Sequence, residues 1–510
     1  MSWASSNLAE QTEPGIAPAA APAEVSLSVV IPLLDHRGFA ARCLDSWIDQ
    51  SLPSQQFEIV ALSPGKDQAL ERMVRAKLRP HDQFIVHRTD SPMELFDLGA
   101  RRARGELLVF TESHCAAGRS TLEAFVTHLS RSSDDGAFCT STSGWTNPLA
   151  RAEGQVFDRG FVEWTAEGGW NRFYTRGTIL KRSVYLAAGG IMPRYGCFAE
   201  PAFAAALHAG GFRLGHARDA VIQHFNTTSY RDFDRCARDF AHGQCESHRD
   251  APQHFVRYHQ RLGEHDSRTL LNARLARIAW RDAVRLLVQA PDVRVRWRSV
   301  RALAEVASLA ALGLSPMVLE RRWRAATARA ALRMLRFMPR DLDRRYERAW
   351  TQIVTYERMR WTIDSLAREP LAAIGLGENT IARIPDAALF GFHGLEESDR
   401  TRFRWTSSVA LVQTILLPGR YTVTLDTGGF RSIEPETITL ALDGHLIASA
   451  DIQINRSSMQ FPLHIGLGGA DQAKAFMLLS DPMPSRMKGN ADPRPLGLPL
   501  TSLRIVPDPR

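Results

Sequence analysis

Cysteine is scarce: six in 510 residues, at positions 43, 115, 139, 197, 236 and 245, with no CxxC pair among them. That scatter excludes a disulfide framework and a ribbon-type zinc site, and it favours reduced thiols in a cytosolic protein. No run of about 18 apolar residues occurs, which excludes a transmembrane helix. The first residues lack the charged-then-apolar pattern of a signal peptide. Neither GxGxxG nor the phosphate loop GxxxxGK(S/T) is present, which argues against dinucleotide and P-loop sites. Charge of one sign is not in large excess. Sixty-three Lys and Arg face 55 Asp and Glu, a net +8. That permits an anionic ligand or an acidic membrane surface and identifies neither. No nucleic-acid recognition motif accompanies it.

The length exceeds one ordinary core, so two or three domains are expected. The hydrophobic share of 44% is that of a soluble globular chain. Residues 1–24, with the Pro- and Ala-rich QTEPGIAPAAAPAE, read as a disordered leader. From residue 25, short apolar runs alternate with helical spacing. Val25–Ile31 is a buried strand stopped by Pro32, and Gly38–Gln50 is helical. Phe57–Leu62 is a strand, Gln68–Leu78 a helix, Phe84–His87 a strand and Leu95–Ala103 a helix. This alternation predicts right-handed βαβ units and a mostly parallel sheet flanked by helices.

The next strand, within GELLVFTESHC (105–115), ends on Glu112, Ser113 and His114. The carboxyl ends of such strands are where open α/β sheets bind ligands. In extended chain Glu112 and His114 point the same way, as a carboxylate–imidazole pair able to hold a divalent metal. Set against that is the plainer reading of two polar residues on a surface loop.

The order of elements, with DLGARRARGELLVFTES at its centre, resembles the nucleotide-sugar glycosyltransferases of family 2, which have the GT-A fold. The resemblance covers about residues 25–250. The family pattern runs Asn-x-Gly-x-x-x-Ala-x-Gly-Glu, three apolar positions, an aromatic, one residue, then Asp-x-Asp. Asp97, Gly99, Ala103, Gly105 and Glu106 fall in register, and Phe110 takes the aromatic place. Glu112 and His114 stand where the two aspartates would. The resemblance implies a nucleotide-diphosphate sugar donor and a divalent metal, Mn2+ or Mg2+, held by Glu112, His114 and His224. It also implies Glu200 as the base of an inverting transfer, because Glu200 falls on the second letter of the family's Glu-Asp-x-Asp-Leu. The alternative for Glu200 is a helix N-terminal carboxylate satisfying backbone N–H groups. For His224 it is a structural histidine.

Pro32, Asp35, Ser63, Lys66, Asp97 and Glu112 are the implied donor contacts. The chain departs from the family at Ser63-Pro64-Gly65-Lys66, where Asp-Asp-Gly-Ser is usual and one acid reads the base. Lys66 is then either a phosphate contact or a solvated turn lysine, and Asp35 either a nucleotide contact or a helix cap. Trp145, Trp164 and Trp170, set among glycines and charges, are acceptor-binding candidates by stacking on sugar rings, or else pack beneath an acceptor loop. The implied acceptor is a saccharide or lipid-linked glycan.

Residues 251–383 read as a basic helical region. Arginines at 321, 322, 324, 329, 333 and 336 suit either a peripheral contact with anionic lipid at the inner face of the membrane or a solvated helix face. Residues 384–510 alternate in short strands, with Asp443-Gly444 as a hairpin turn, and predict a β-sandwich. Arg402, Arg404 and Trp405 at its start either face a glycan or pack inward. The expected function is glycosyl transfer. The alternative is a catalytically inactive glycan-binding or scaffolding protein of the same fold.

Overall fold

The computed structural model describes residues 25–164, 169–258, 321–335, 342–428, 436–442, 445–452, 458–465, 473–480 and 497–509. The leader, and residues 259–320 of the expected basic helical region, lie outside them. The strands β1 (Leu27–Pro32), β2 (Phe57–Ser63), β3 (Gln83–Val86) and β4 (Leu107–Phe110) pair in parallel, in the order β3-β2-β1-β4. β1 and β2 are buried along their whole length, which is why they read as unbroken apolar runs rather than alternation. Helices α1 (Ala40–Ile48), α2 (Gln68–Lys77) and α3 (Pro92–Arg102) fill the crossovers. The Ser91 side chain caps α3 by accepting from the Glu94 N–H. That cap draws the helix start back to Pro92 from Leu95, where the apolar spacing first becomes visible.

Beyond β4 the sheet changes direction. Next come β5 (Cys115–Ala117), α4 (Thr121–Arg131), β6 (Gly136–Gly144), α5 (Pro148–Trp164), β7 (Thr178–Lys181), α6 (Arg182–Ala187), α7 (Ala199–Ala209) and β8 (Leu214–Phe225). The full order is β3-β2-β1-β4-β7-β6-β8-β5. β7 runs antiparallel to β4 and β6, β8 is parallel to β6, and β5 is antiparallel to β8. The expected layout, a mostly parallel sheet flanked by helices, is present, with the antiparallel pairings confined to its second half.

Two glycines of the 97–106 stretch permit this packing. A Cβ at Gly99 would lie 2.5 Å from Val30 Cγ1, so α3 rests directly on β1. A Cβ at Gly105 would lie 2.6–2.8 Å from the Leu27 backbone. Gly105 is therefore required by the approach of β4 to β1; the third helix ends earlier, with Ala103 as its cap residue.

The stretch expected as an acceptor loop, 144–170, contains the 17-residue helix α5. Asn147 starts it by accepting from the Ala150 N–H at 2.9 Å, with Pro148 in the first turn. Its Leu149 and Ala152 enter a helical core with Tyr230, Phe233 and Ala237 of α8 (Tyr230–Asp250). The short α9 (Pro252–Tyr258) follows. The same core takes Ala328 and Leu332 of α10 (Arg321–Met334), and Tyr346 and Trp350 of α11 (Leu342–Arg368). Arg329 and Arg333 of α10 are exposed. No helix among the described residues is long and apolar enough to cross a membrane.

The C-terminal strands are β9 (Gly377–Thr380), β10 (Leu389–Ser398), β11 (Thr401–Ile415), β12 (Gly419–Asp426), β13 (Glu436–Leu442), β14 (His445–Ile452), β15 (Ser458–Ile465), β16 (Ala473–Ser480), β17 (Pro499–Leu500) and β18 (Ser502–Pro507). They form a sheet β10-β11-β16-β13-β14, with β17 on β11, and a second sheet β15-β12-β18-β9. Val412 and Leu500 from the first sheet and Val423, Phe461 and Ile505 from the second share one core. This is the expected sandwich. Its sheet begins at Gly377, before residue 384, because β9 (GENT) is a polar edge strand without apolar alternation. Arg404 turns inward, with Nη2 2.6 Å from Asp386 Oδ1 and Nη1 donating to the His393 carbonyl, and Trp405 is buried. Neither presents itself to a glycan.

The tight approach at Gly105 gives a direct test. Gly105→Ala is expected to destabilise the fold by about 1–3 kcal/mol through overpacking. Urea unfolding should show this as a lower midpoint with an unchanged slope.

Candidate active site

The chain leaves β4 at Phe110 and turns, rather than continuing extended. The Cys115 N–H donates to the Glu112 carbonyl at 2.9 Å, so Glu112 and His114 sit on one reverse turn. β5 then pairs with the end of β8, placing Cys115 opposite His224. The Phe225 N–H donates to the His114 carbonyl at 3.0 Å. This ladder brings two histidines 110 residues apart in sequence to a ring separation of 4.8 Å.

Their Nε2 atoms are 3.1 Å apart. Glu112 Oε2 lies 3.3 Å from His114 Nε2 and 3.2 Å from His224 Nε2. The outer nitrogens fix the tautomers. His114 Nδ1 faces the Asp35 carbonyl at 2.5 Å, and His224 Nδ1 faces Asn226 Oδ1 at 2.8 Å. Each Nδ1 therefore carries hydrogen, and each Nε2 turns a lone pair inward. Burial pushes the His224 pKa down to about 3, so its ring is neutral at physiological pH. Burial alone would lift the Glu112 pKa, but whenever a proton rather than a cation sits among the three groups, charge and N–H donation from the imidazoles outweigh burial and hold the carboxyl well below the usual range. Two bare nitrogens and a carboxylate oxygen, all buried or half-buried, thus converge within 4.8 Å of one another. That donor set fits a divalent cation, and the outer hydrogen bonds are those that orient ligating imidazoles.

Glu200 lies in the first turn of α7. Its Oε1 accepts from the Thr175 N–H at 2.7 Å and from the Thr175 hydroxyl. The same hydroxyl lies 3.4 Å from Glu112 Oε1. Thr175 thus links the two carboxylates. Burial, then the nearby charge of Glu112, raises the Glu200 pKa to about 7, while the Thr175 bonds act the other way. Cys115, at 3.9 Å from Glu112 Oε2, is a protonated thiol, its pKa driven well up by burial.

The remaining candidates lie at varying removes. Asp35 joins the cluster through its backbone carbonyl, while its carboxylate is bound by Arg37 at 3.0 Å. Pro32 ends β1. Ser63 and Lys66 stand at or beyond the end of β2, one strand further out than β1. The Ser63 hydroxyl donates to Glu71 at 2.7 Å, and the exposed Lys66 pairs with Asp90. Asp97 is held by Tyr185 Oη at 2.7 Å and Arg101 Nε at 2.8 Å, tying α3 to α6. Trp145 follows β6, is 51% exposed, and carries the Arg151 guanidinium over its ring at 4.6 Å. Trp164 ends α5, and its side chain lies outside the described residues. Trp170 is half-buried against Tyr258, beside a cavity of about 350 Å³ that also borders Arg172 and His208.

Four contributors escaped the sequence reading: Arg37, Thr175, Arg176 and Asn226. Arg37 has a left-handed backbone, φ 49°. It bridges Asp35 to the Phe225 carbonyl at 2.8 Å, fastening the loop after β1 to the residue beside His224. An arginine directly before a glycine in DHRG was its only sequence signal.

The raised Glu200 pKa has a consequence for stability. A carboxyl whose folded pKa lies above its unfolded value of about 4.5 holds its proton more tightly when folded. Its contribution is fully present at acid pH and is lost as pH rises through about 7. In chelator, Glu200→Gln is therefore expected to melt above wild type at pH 8, with the excess shrinking toward pH 5. A pH-independent difference would contradict this account of the site.

Residues 28–180 match the family model described as Glycosyl transferase family 2. No curated protein matches the chain by sequence. Among solved structures, residues 1–349 of S. aureus TarS in complex with UDP-GlcNAc are 12% identical with a TM-score of 0.36, covering 74% of this chain and 96% of that one. The mannosyltransferase PcManGT from Pyrobaculum calidifontis, in complex with GDP-Man and Mn2+, is 14% identical with a TM-score of 0.37, covering 67% and 87%. Residues 28–180, the part of the sheet that carries Glu112 and His114, thus resemble glycosyl transferase family 2, and glycosyl transfer is the activity that this match supports.

Proposed function

We propose that the protein moves a sugar from a nucleotide-diphosphate donor to a hydroxyl of a saccharide or lipid-linked glycan, with inversion at the anomeric carbon. The observation that carries the reading is the inward convergence of three donor atoms from Glu112, His114 and His224. In this reading they hold Mn2+ or Mg2+. When bound, such a cation supplies Lewis acidity toward the departing diphosphate. Asp35 and Asn226 keep the two imidazoles in the ligating tautomer, and Arg37 steadies Asp35.

Glu200 acts as the general base. Its near-neutral pKa suits proton transfer at physiological pH, since a base is most effective when its pKa lies close to the working pH. Thr175 occupies Oε1, which leaves Oε2 for the acceptor hydroxyl. Glu112 stays ionised while Glu200 titrates. Two carboxylates with pKa values pushed apart are the usual sign of divided roles.

Asp35 remains the donor contact best supported, by its nearness to the ligand cluster through the carbonyl that faces His114, although its carboxylate is held by Arg37. Asp97, Ser63 and Lys66 are supported less, because each is already engaged elsewhere. The exposed Trp145 is the acceptor platform this reading prefers. The boundaries 1–24, 25–250, 251–383 and 384–510 belong to the same proposal, with the last moved forward to include β9. The exposed arginines of α10 support a peripheral membrane contact at the cytoplasmic face.

A donor screen by mass spectrometry with several nucleotide sugars tests the reaction. Transfer or donor hydrolysis should vanish in chelator and return with manganese, and His224→Ala should raise the manganese requirement steeply. Glu200→Gln should lower transfer by about 10²–10⁴-fold, with donor affinity near that of wild type. Full activity in that variant would overturn the assignment of the base. In the wild type, kcat/KM should fall as pH drops below about 7, and a flat profile from pH 5 to 8 would contradict it.

A further inference from the structure

A cavity of about 350 Å³ lies between α7, the start of β8 and Trp170, and plays no part in the transfer chemistry. Asp134 and Leu214 border it, and they stand where the parallel strands β6 and β8 begin. Glu112, His114 and His224 gather where β8 ends, so the cavity belongs to the opposite edge of the sheet. His208 borders it from the last turn of α7, eight residues beyond Glu200, or about 12 Å along the helix axis. It is therefore separate from the transfer centre. Its volume falls within the range of about 300–1,000 Å³ that small-molecule sites occupy.

Its walls combine aromatic faces with forked polar groups. Phe173 is fully buried, while Trp170 and Phe212 are half-buried and keep part of each ring uncovered. Trp170 is braced by Tyr258, with ring centroids 5.3 Å apart, and Tyr258 Oη is in turn 3.3 Å from His208 Nδ1. Two guanidiniums and one carboxylate border the same space. Arg172 Nη1 donates to the Leu214 carbonyl at 3.0 Å, which fixes that guanidinium against the start of β8. The Arg213 side chain is 71% exposed, and its ion pair with Asp134 is long, at 3.9 Å. Asp134 is held more closely by His128, with Oδ2 2.9 Å from Nε2. Positive charge thus exceeds negative around the rim.

The two kinds of surface narrow the ligand. An apolar molecule would cover the rings and strand the forked groups, and an inorganic anion would do the reverse. A pyranose has an apolar face of C–H bonds, which suits an aromatic ring, and a rim of hydroxyls that donate and accept. A carboxylate on that ring matches the excess guanidinium charge through two-point, charge-assisted hydrogen bonds. We propose that the cavity is a second carbohydrate site, remote from the transfer centre, and that it takes a hexuronic acid unit stacked on Trp170 with its carboxylate on Arg213. Such a site adds to the hold on an acidic glycan without touching the reacting groups. It is built from residues that the transferase reading does not use, so the two stand or fall separately.

Ligand-observed NMR titration of the full-length, metal-free protein with methyl β-D-glucuronide should show saturable binding. The matching glucoside, which lacks the carboxylate, should bind about tenfold more weakly or worse, the loss expected when a hydrogen-bonded charge is removed. Trp170→Ala should weaken glucuronide binding about five- to tenfold. Arg213→Met should weaken it about tenfold, and Arg213→Lys, which keeps the charge without the fork, should lose less. Trp145→Ala, at the other edge of the sheet, should leave the affinity unchanged. Absence of saturable binding to the wild type, or equal affinity in wild type and Arg213→Met, would overturn the proposal. Equal affinity for glucoside and glucuronide would overturn the choice of an acidic ring. Loss of binding in Trp145→Ala but not in Trp170→Ala would place the sugar at the transfer centre and overturn the second site. Should Trp170→Ala fail to fold, the exposed Arg213 carries the test through Arg213→Met. Failure of the donor screen would remove the transferase reading and leave this titration to be judged by itself.

Discussion

Three electron-rich atoms held within about a hydrogen-bond length of one another repel, and the architecture around Glu112, His114 and His224 exists in spite of that repulsion. The first turn after β4 fixes Glu112 and His114, the β5–β8 ladder brings His224 opposite, and neither imidazole can rotate away because its Nδ1 hydrogen is engaged. A shared proton or a metal ion relieves the contact, and burial makes the proton a poor answer at His224. The two Nδ1 bonds therefore decide the chemistry as much as the ligand atoms do, since a flipped tautomer would present an N–H to the carboxylate and close the site to a cation.

The reversal of strand direction after β4 has a second effect. β7 returns antiparallel beside β4, so the turn preceding it lies over the end of the strand that carries Glu112. Thr175 in that turn reaches both carboxylates. Glu112 stays ionised, whereas Glu200, buried and beside that like charge, is driven toward neutrality against the pull of the Thr175 hydroxyl and amide. The fold thus differentiates two chemically identical groups by what it sets beside each of them.

Much of this was legible in the sequence. Short apolar runs on both-face-buried strands announce themselves, and the spacing from Gly99 through Gly105 to Glu112 records real steric contacts, because side chains at either glycine would meet β1. What stayed hidden was of two kinds. Some residues act through the backbone, such as Asp35 with its carbonyl, and a side-chain reading passes over them. Others, such as Ser63 with Glu71 and Asp97 with Tyr185, are bonded to residues of other elements, which no local window shows. The helix over 148–164 was hidden because its apolar face, Leu149 and Ala152 with their neighbours, is narrow and interrupted by charge. It becomes a helix where α8, α10 and α11 cover that face, a packing that no local window contains.

That coverage ties the site to distant parts of the chain. α8 begins at Tyr230, shortly after His224 and Asn226. The Tyr230 hydroxyl donates to Glu357 at 2.6 Å, and Trp361 Nε1 donates to Asp234 at 3.0 Å. Both partners stand on α11. Leu366 and Leu371, with Phe390 and Leu411 of the sandwich, enter the same core as Val30, Phe110 and Phe203 of the first domain. The strand presenting His224 is therefore braced by a helix whose own position is set more than a hundred residues later. Among the described residues the C-terminal half contributes no ligand to the cluster, yet its long helix packs on and bonds to the helix that follows the strand of His224.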